Sequence, residues 1–212
     1  FGSQEEDAVR RDITVNALYY DISDFTVKDY VGGVADLEAG LMRMIGDPQT
    51  RFREDPVRML RVVRFASRLG FRIDPATADP MYDIGHLLLN VSPARMFEEV
   101  LKLFQGGYAL ETYEMLRHFD LFRFLFPRTE DSLADEDANF PRVLLPQALA
   151  NTDQRIQDGK PVNPAFLFAA ILWEPVRLSM ERRIAQGQHP YEALTQAGEE
   201  VLREQQRHVS IP

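Results

Sequence analysis

The chain of 212 residues contains no cysteine, which excludes disulfides and thiolate metal sites. Its four histidines, His86, His118, His189 and His208, are too widely spaced for a zinc-ligand pattern, so a structural zinc is not expected. No apolar run approaches the ~20 residues that span a bilayer. The opening Phe1-Gly2-Ser3-Gln4-Glu5-Glu6 has neither the basic region nor the apolar stretch of a secretion signal, and a cytoplasmic location is the expectation. An excess of positive charge is also missing. With 33 acidic and 24 basic residues the net charge is −9, the wrong sign for holding nucleic acid by bulk electrostatics, so any RNA contact must be local. Internal repeats and low-complexity tracts are absent too. The first residue is Phe, not Met, so a segment of something longer is expected.

What remains is the make-up of an ordinary globular protein, 45% hydrophobic and 27% charged. Basic residues concentrate before Arg72, whereas Glu130-Asp131 and Asp135-Glu136-Asp137 are acidic, so an anion would dock in the first third. Ser3-x-x-Glu6 has the form of a capping box and predicts a helix to about Arg11. Val15, Leu18, Tyr19 and Ile22 fit a second helical stripe over Thr14–Ile22, and Phe25–Val31 reads as a strand ended by Gly32-Gly33. Leu41–Ile45 is expected to pair with it. After Gly46-Asp47-Pro48 strand signals stop, which predicts a domain boundary near Asp47 and helices beyond it.

Asp55-Pro56, Ser92-Pro93 and Asn163-Pro164 share a cap-then-proline grammar, predicting helices over 56–69 (stopped by Gly70), 93–104 and 164–173. The last is apolar on all sides and about half a membrane-spanning length, as for a helix central to a core. Pro127 to Pro141 reads as an acidic, turn-rich loop between two helical bundles.

At about 100° per residue, the 56–69 helix has an apolar face of Met59, Leu60, Val62, Val63, Ala66 and Leu69. Arg58, Arg61, Arg64 and Arg68 form the other face, with Phe65 as the exception. Four guanidiniums on one side of a helix that holds no acidic residue repel one another unless an anion or acidic neighbours neutralise them. Polyphosphate matches guanidinium forks; the alternative is a solvated face salt-bridged to Glu98 or Glu99. Asp55 and Arg58 lie one turn apart and offer an acceptor beside a donor, complementary to the Watson–Crick edge of adenine or cytosine and mismatched to guanine and uracil. Asp55 can equally be a helix cap. Arg10-Arg11-Asp12 supplies two guanidiniums and a carboxylate able to bracket a triphosphate and ribose, or a plain surface cluster. Asp29–Leu37 is a glycine turn between carboxylates, a hinge or hairpin connection and not a phosphate loop, since no helix start with Lys follows it.

In this order the segments resemble the nucleotidyltransferase class of bacterial poly(A) polymerases and CCA-adding tRNA enzymes. Arg10-Arg11-Asp12-Ile13-Thr14-Val15-Asn16-Ala17 is similar to that class's Arg-Arg-Asp-Phe-Thr-x-Asn motif, with Ile13 in place of Phe. Asp29–Leu37 resembles its head–neck hinge, Glu54-Asp55-Pro56-Val57-Arg58 through Phe65 its nucleotide-selecting helix, and Pro93–Glu99 the next neck motif. Leu18–Ile22, the aromatic run Phe119–Pro127, Asn151–Ile156 and Val162–Phe168 look like the poly(A) polymerase branch.

The resemblance implies a mainly α chain. Residues 1–47 would be the remnant of an α/β nucleotidyltransferase head (short helices plus a β-hairpin), residues 48–127 a helical neck that reads the base, and residues 128–212 a partial helical body. It implies addition of AMP from ATP to RNA 3′ ends without a template, in bacteria a step toward RNA decay, with ATP and the RNA end as partners. Asp12 would be catalytic. Arg10, Arg11, Asp12, Asn16, Asp55, Arg58, Arg61 and Arg64 would contact the nucleotide, and Arg95 with Glu98 would brace the neck. The class uses Mg2+, held by an Asp-x-Asp pair placed upstream of the Arg-Arg-Asp motif. No metal ligand is expected within this chain, which by itself is therefore expected to be inactive. CCA addition is the nearest alternative, and a non-catalytic helical scaffold with a basic groove is a third.

Overall fold

The computed structural model describes residues 2–134 and 144–211. The chain forms two compact units, Phe1–Leu87 and Leu88–Pro212. It is mainly helical, with two small two-stranded sheets among the described residues, both in the first unit.

The first unit opens with α1 (Gln4–Arg10), started by the expected capping box: Ser3 Oγ accepts from the Glu6 N–H at 3.1 Å and the Ser3 N–H donates to Glu6 Oε2 at 2.8 Å. The stripe over Thr14–Ile22 is not a helix. A single 3-10 turn (Thr14–Asn16) leads into β1 (Leu18–Asp21), which pairs antiparallel with β2 (Thr26–Asp29) in the register Leu18↔Asp29. The apolar residues recur at helical spacing, but over too few residues to fix a helix. The turn decides the outcome: Asp21 Oδ1 accepts from the Ser23 N–H and hydroxyl, and Asp24 Oδ1 from those of Thr26, so two Asx turns reverse the chain and give β1 a partner.

The glycine turn starts a short helix, α2 (Gly33–Ala39), which the sequence reading did not predict and which carries no Lys. Asp29 accepts from the N–H groups of Val31, Gly32, Gly33 and Val34 at 2.9–3.1 Å, so the anion-binding nest at this helix start is filled by the chain's own carboxylate. Burial pushes the Asp29 carboxyl up, but the four N–H donors outweigh it and hold the group below its ordinary value.

β3 (Leu41–Met42) pairs not with β2 but in parallel with β4 (Arg72–Ile73). Between them lie α3 (Pro48–Glu54), which the sequence reading did not foresee, and α4 (Val57–Leu69). Asp47 caps α3 through Thr50. Gly70, at φ 66°, ends α4 in the left-handed conformation that glycine adopts without strain and returns the chain beside β3. The apolar face of α4 packs as its period requires. Met59, Leu60, Val62, Val63 and Ala66 are buried, each of the larger four contributing about 1.5–3 kcal/mol; Leu69, expected on that face, is exposed at the last turn. Toward its end the unit has α5 (Pro75–Ile84), followed by a 3-10 segment (Gly85–Asn90) that contains the boundary at Leu87.

The second unit is helical: α6 (Pro93–Phe104), α7 (Ala109–His118), α8 (Phe122–Leu125), α9 (Pro127–Ala134), α10 (Leu144–Gln157), α11 (Pro164–Ala185) and α12 (Pro190–Gln205). The supposed loop from Pro127 begins with helix α9; Asp135-Glu136-Asp137 and the rest of that stretch lie outside the described residues. α11 runs twelve residues past the expected end at Trp173, carrying Pro175 within it. It is less enclosed than expected, since Phe166 is half exposed and Trp173 over a third. The aromatic run is packing, as expected. Phe119, Phe122 and Phe126 are buried, Tyr113 meets Phe122 edge-on at 5.1 Å, and Phe97 stacks on Phe168 at 5.6 Å.

Candidate nucleotide-binding site

One cavity of about 430 Å3 in the first unit is lined by Arg10, Arg11, Asp12, Asn16, Asp55, Arg58 and Arg61. These are seven of the eight residues expected to meet a nucleotide, brought from the end of α1, the 3-10 turn and the start of α4. Arg64, the eighth, is not in the lining; its guanidinium lies 4.4 Å over the Phe65 ring. Four guanidiniums and two carboxylates leave the lining with two positive charges in excess, although the whole chain carries −9.

Arg11, Asp12, Asp55, Arg58 and Arg61 are each held by neighbouring groups. Arg11 Nε and Nη2 donate to Asp7 Oδ2 at 3.2 and 3.1 Å, Nε also meets Tyr19 Oη at 3.1 Å, and Nη1 donates to the Asn16 carbonyl at 3.1 Å. The Tyr19 hydroxyl donates to Asp7 Oδ2 at 2.7 Å. That bond, with the Arg11 guanidinium, holds the Asp7 carboxyl below its ordinary value. Asp12 is nearly buried. Its Oδ1 accepts from the Ile13 N–H at 3.0 Å and its backbone oxygen from the Ile45 N–H at 2.9 Å. Asp12 Oδ2 lies 2.7 Å from Arg61 Nε, but off the N–H axis, so the two charges attract without a hydrogen bond.

At the junction of α3 and α4, Asp55 follows α3 and its Oδ1 accepts from the Val57 N–H at 3.3 Å, the capping role that the sequence left open. Arg58 Nη1 donates to Glu54 Oε2 at 2.6 Å and to the Arg51 carbonyl at 2.8 Å. The Arg58 hydrogen bond, helped by the Arg51 charge, holds the Glu54 carboxyl below its ordinary value. Thus acidic neighbours do neutralise part of the arginine face: Glu54 at Arg58 and Asp12 at Arg61.

Three supports were not singled out from the sequence. Asp7 lies one helical turn before Arg11, a local pairing, whereas Tyr19 lies on β1 and only the fold joins it to Arg11. Arg51 Nη2 donates to the carbonyls of Arg10 and Arg11 at 2.9 and 2.8 Å. The i, i+4 spacing of Asp7 and Arg11 was a legible signal; the reach of Arg51 across forty residues was not. In the second unit, Arg95 and Glu98 are exposed on one face of α6.

Among the described residues no group of three or more His, Cys, Asp or Glu side chains converges as a metal site requires. Asp12 and Asp55 by themselves do not make a divalent-ion site. No helix among the described residues is long and apolar enough to cross a membrane.

Residues 2–43 match the family described as "Poly A polymerase head domain", and residues 70–133 the one described as "Probable RNA and SrmB- binding site of polymerase A". Poly(A) polymerase I of Salmonella typhi is 51% identical over 100% of this chain and 46% of that protein. The CCA-adding enzyme of Bacillus pumilus is 40% identical over 68% of this chain and 36% of its own length. Among solved structures, the Bacillus stearothermophilus CCA-adding enzyme in complex with CTP aligns with a TM-score of 0.53 and 25% identity, over 97% of this chain and 60% of that one. The chain spans about half the length of the curated relatives it matches. A cleft built from the Arg-Arg-Asp turn and the Asp55–Arg58 helix start, in a chain half identical to poly(A) polymerase I along its whole length, places this protein in the poly(A) polymerase and CCA-adding nucleotidyltransferase family.

Proposed function

We propose that this chain forms the nucleotide-selecting part of a cytoplasmic polynucleotide adenylyltransferase that adds AMP from ATP to RNA 3′ ends without a template. The observation that carries the reading is the gathering of Arg10, Arg11, Asp12, Asn16, Asp55, Arg58 and Arg61 around one cavity. Asp55 would accept from the exocyclic amino group of adenine while Arg58 donates to the adjacent ring nitrogen, and an edge with donor and acceptor exchanged would leave both unpaired. Arg10, Arg11 and Arg61 face the triphosphate. A unit charge pair about 4 Å apart near a protein surface is worth about 4 kcal/mol, enough for the cationic lining to hold a polyanion against the net charge of the chain. Asp12, within 2.7 Å of Arg61, is the active-site carboxylate. Arg64 belongs to the same phosphate-facing helix side, and Arg95 with Glu98 braces the neck. Residues 1–47 act as head, 48–127 as neck and 128–212 as body. Mg2+ supplies charge neutralisation at the phosphates, through ligands beyond the seven lining residues.

Single-nucleotide extension by the complete gene product, with magnesium, oligo(A) RNA or a tRNA lacking its end, and ATP or CTP supplied separately, tests this. A long ladder with ATP alone is expected, and Asp12→Ala abolishes it while leaving the circular dichroism spectrum unchanged. Full activity in Asp12→Ala removes the active-site assignment. The base edge read by Asp55 and Arg58 fits cytosine as well, so CCA addition is the second reading; incorporation confined to the tRNA and requiring CTP would establish it. No incorporation of either nucleotide favours the scaffold.

A further inference from the structure

We propose that Arg51 is a positioning residue that sets the register between the Arg10-Arg11-Asp12 turn and the base-reading start of α4, a role resting on the nucleotide-binding reading above. Arg51 does not line the cavity. It projects from α3 and is mostly buried, with 17% of its side chain exposed. Its two terminal nitrogens serve different ends of the site. Nη2 donates to the Arg10 and Arg11 carbonyls at 2.9 and 2.8 Å, the acceptors left open where α1 stops. Nη1 donates to Glu54 Oε2 at 3.1 Å, the same oxygen that accepts from Arg58 Nη1 at 2.6 Å. The backbone carbonyl of Arg51 accepts from Arg58 Nη1 at 2.8 Å.

One planar group therefore bridges the peptide unit that immediately precedes Asp12 and the carboxylate that holds Arg58. The Arg11 carbonyl and the Asp12 N–H share one rigid plane, so fixing the carbonyl limits the directions open to the Asp12 side chain. The site accepts a cost for this, since Arg51 Nε is buried without a hydrogen-bond partner. A residue needed only for local charge would not require two nitrogens with a fixed separation. A lysine ammonium carries the charge but presents its donors from a single atom and cannot serve both ends.

The consequence is a coupling between base choice and chemistry. A base held by Asp55 and Arg58 puts the α-phosphate in line only if the Arg10–Asp12 turn keeps its distance from α4, and misplacement of about 1 Å costs on the order of 100-fold in rate. Arg51→Lys in the complete gene product should lower kcat with ATP by about 100-fold, and lower the ATP-over-GTP ratio of kcat/KM by about tenfold. KM for ATP should change less than about threefold, because the lining arginines stay in place. Arg53→Ala, an exposed arginine on the same helix, should behave as the parent.

Thermal melts and the fraction of active sites accompany the kinetics. Arg51→Lys with parental kcat and nucleotide ratio overturns the proposal. So does a loss of rate that follows the folded fraction with selectivity unchanged, which would make Arg51 merely structural. Asp12→Ala measured alongside separates the two readings: an inactive Asp12→Ala with a normal Arg51→Lys refutes only the role of Arg51, whereas an active Asp12→Ala refutes the site itself.

Discussion

Gly33→Ala is the perturbation whose consequence follows most directly from the geometry, and it contradicts what backbone conformation alone would suggest. A Cβ on Gly33 would lie 2.4 Å from the Thr14 carbonyl oxygen, 2.9 Å from its carbon and 3.0 Å from Leu18 Cδ2. Leu18 can change rotamer, but the Thr14 carbonyl is backbone, and relief to ordinary contact requires α2 and the 3-10 turn to part by about 1 Å. Overpacking of this kind costs about 1–3 kcal/mol. The same interface holds the Thr14 hydroxyl donating to Asp36 Oδ2 at 2.7 Å, a buried bond to a carboxylate that also pairs with Arg43 at 3.1 Å. Weakening that bond adds about 1.5–3 kcal/mol, so a total of about 2.5–6 kcal/mol is expected.

Gly32 provides the comparison. It has φ 82°, where alanine is strained by about 1–2 kcal/mol, yet nothing lies within 4 Å of its Cβ position. Gly33→Ala should therefore destabilise more than Gly32→Ala, as read by native-state hydrogen exchange of amides in residues 2–87. Because Thr14 lies two residues beyond Asp12, Gly33→Ala should also lower turnover more than Gly32→Ala. Equal or reversed ranking in stability would refute the steric argument.

In the second unit, Asp153 accepts from the Ala109 and Leu110 N–H groups at 2.6 and 3.0 Å, capping α7 from α10. Asp153→Ala leaves two first-turn donors unsatisfied and should cost about 2–4 kcal/mol in denaturant unfolding; a loss within experimental error would show that water replaces the carboxylate. The Glu54 tie predicts a pH dependence. Its carboxyl is held below the ordinary 4.5 by the Arg58 hydrogen bond, so the folded state binds the proton less tightly than the unfolded chain. The stabilisation is present above 4.5 and lost as pH falls through the lowered value. The stability difference between parent and Glu54→Gln should be largest near neutrality and vanish in acid; a constant difference from pH 7 to pH 3 would contradict the assignment.

The sequence alone determined the local starts and stops, because those depend on neighbours a few residues apart. Ser3 with Glu6, Ser92 before Pro93, Asn163 before Pro164 and Gly70 after Leu69 each satisfy helix-end groups within one turn, and all four ends appear where the residues require. The Arg-Arg-Asp and Asp-Pro-Val-Arg segments were legible through their resemblance to nucleotidyltransferase motifs, since residue type and spacing alone left a surface cluster and a helix cap open. Tertiary structure decided what depends on a distant partner. Leu18–Asp21 became a strand because two Asx turns delivered β2 to it, and Leu41–Met42 took a parallel partner thirty residues away because Gly70 turned the chain back. Apolar spacing over so few residues is compatible with either period, and only the partner removes the ambiguity. The same holds for the site. Its lining residues could be named from the sequence, but the grip of Arg51 on the Arg10–Arg11 peptide, and of Tyr19 on Arg11 and Asp7, exists only where folding closes those separations into hydrogen-bond distance.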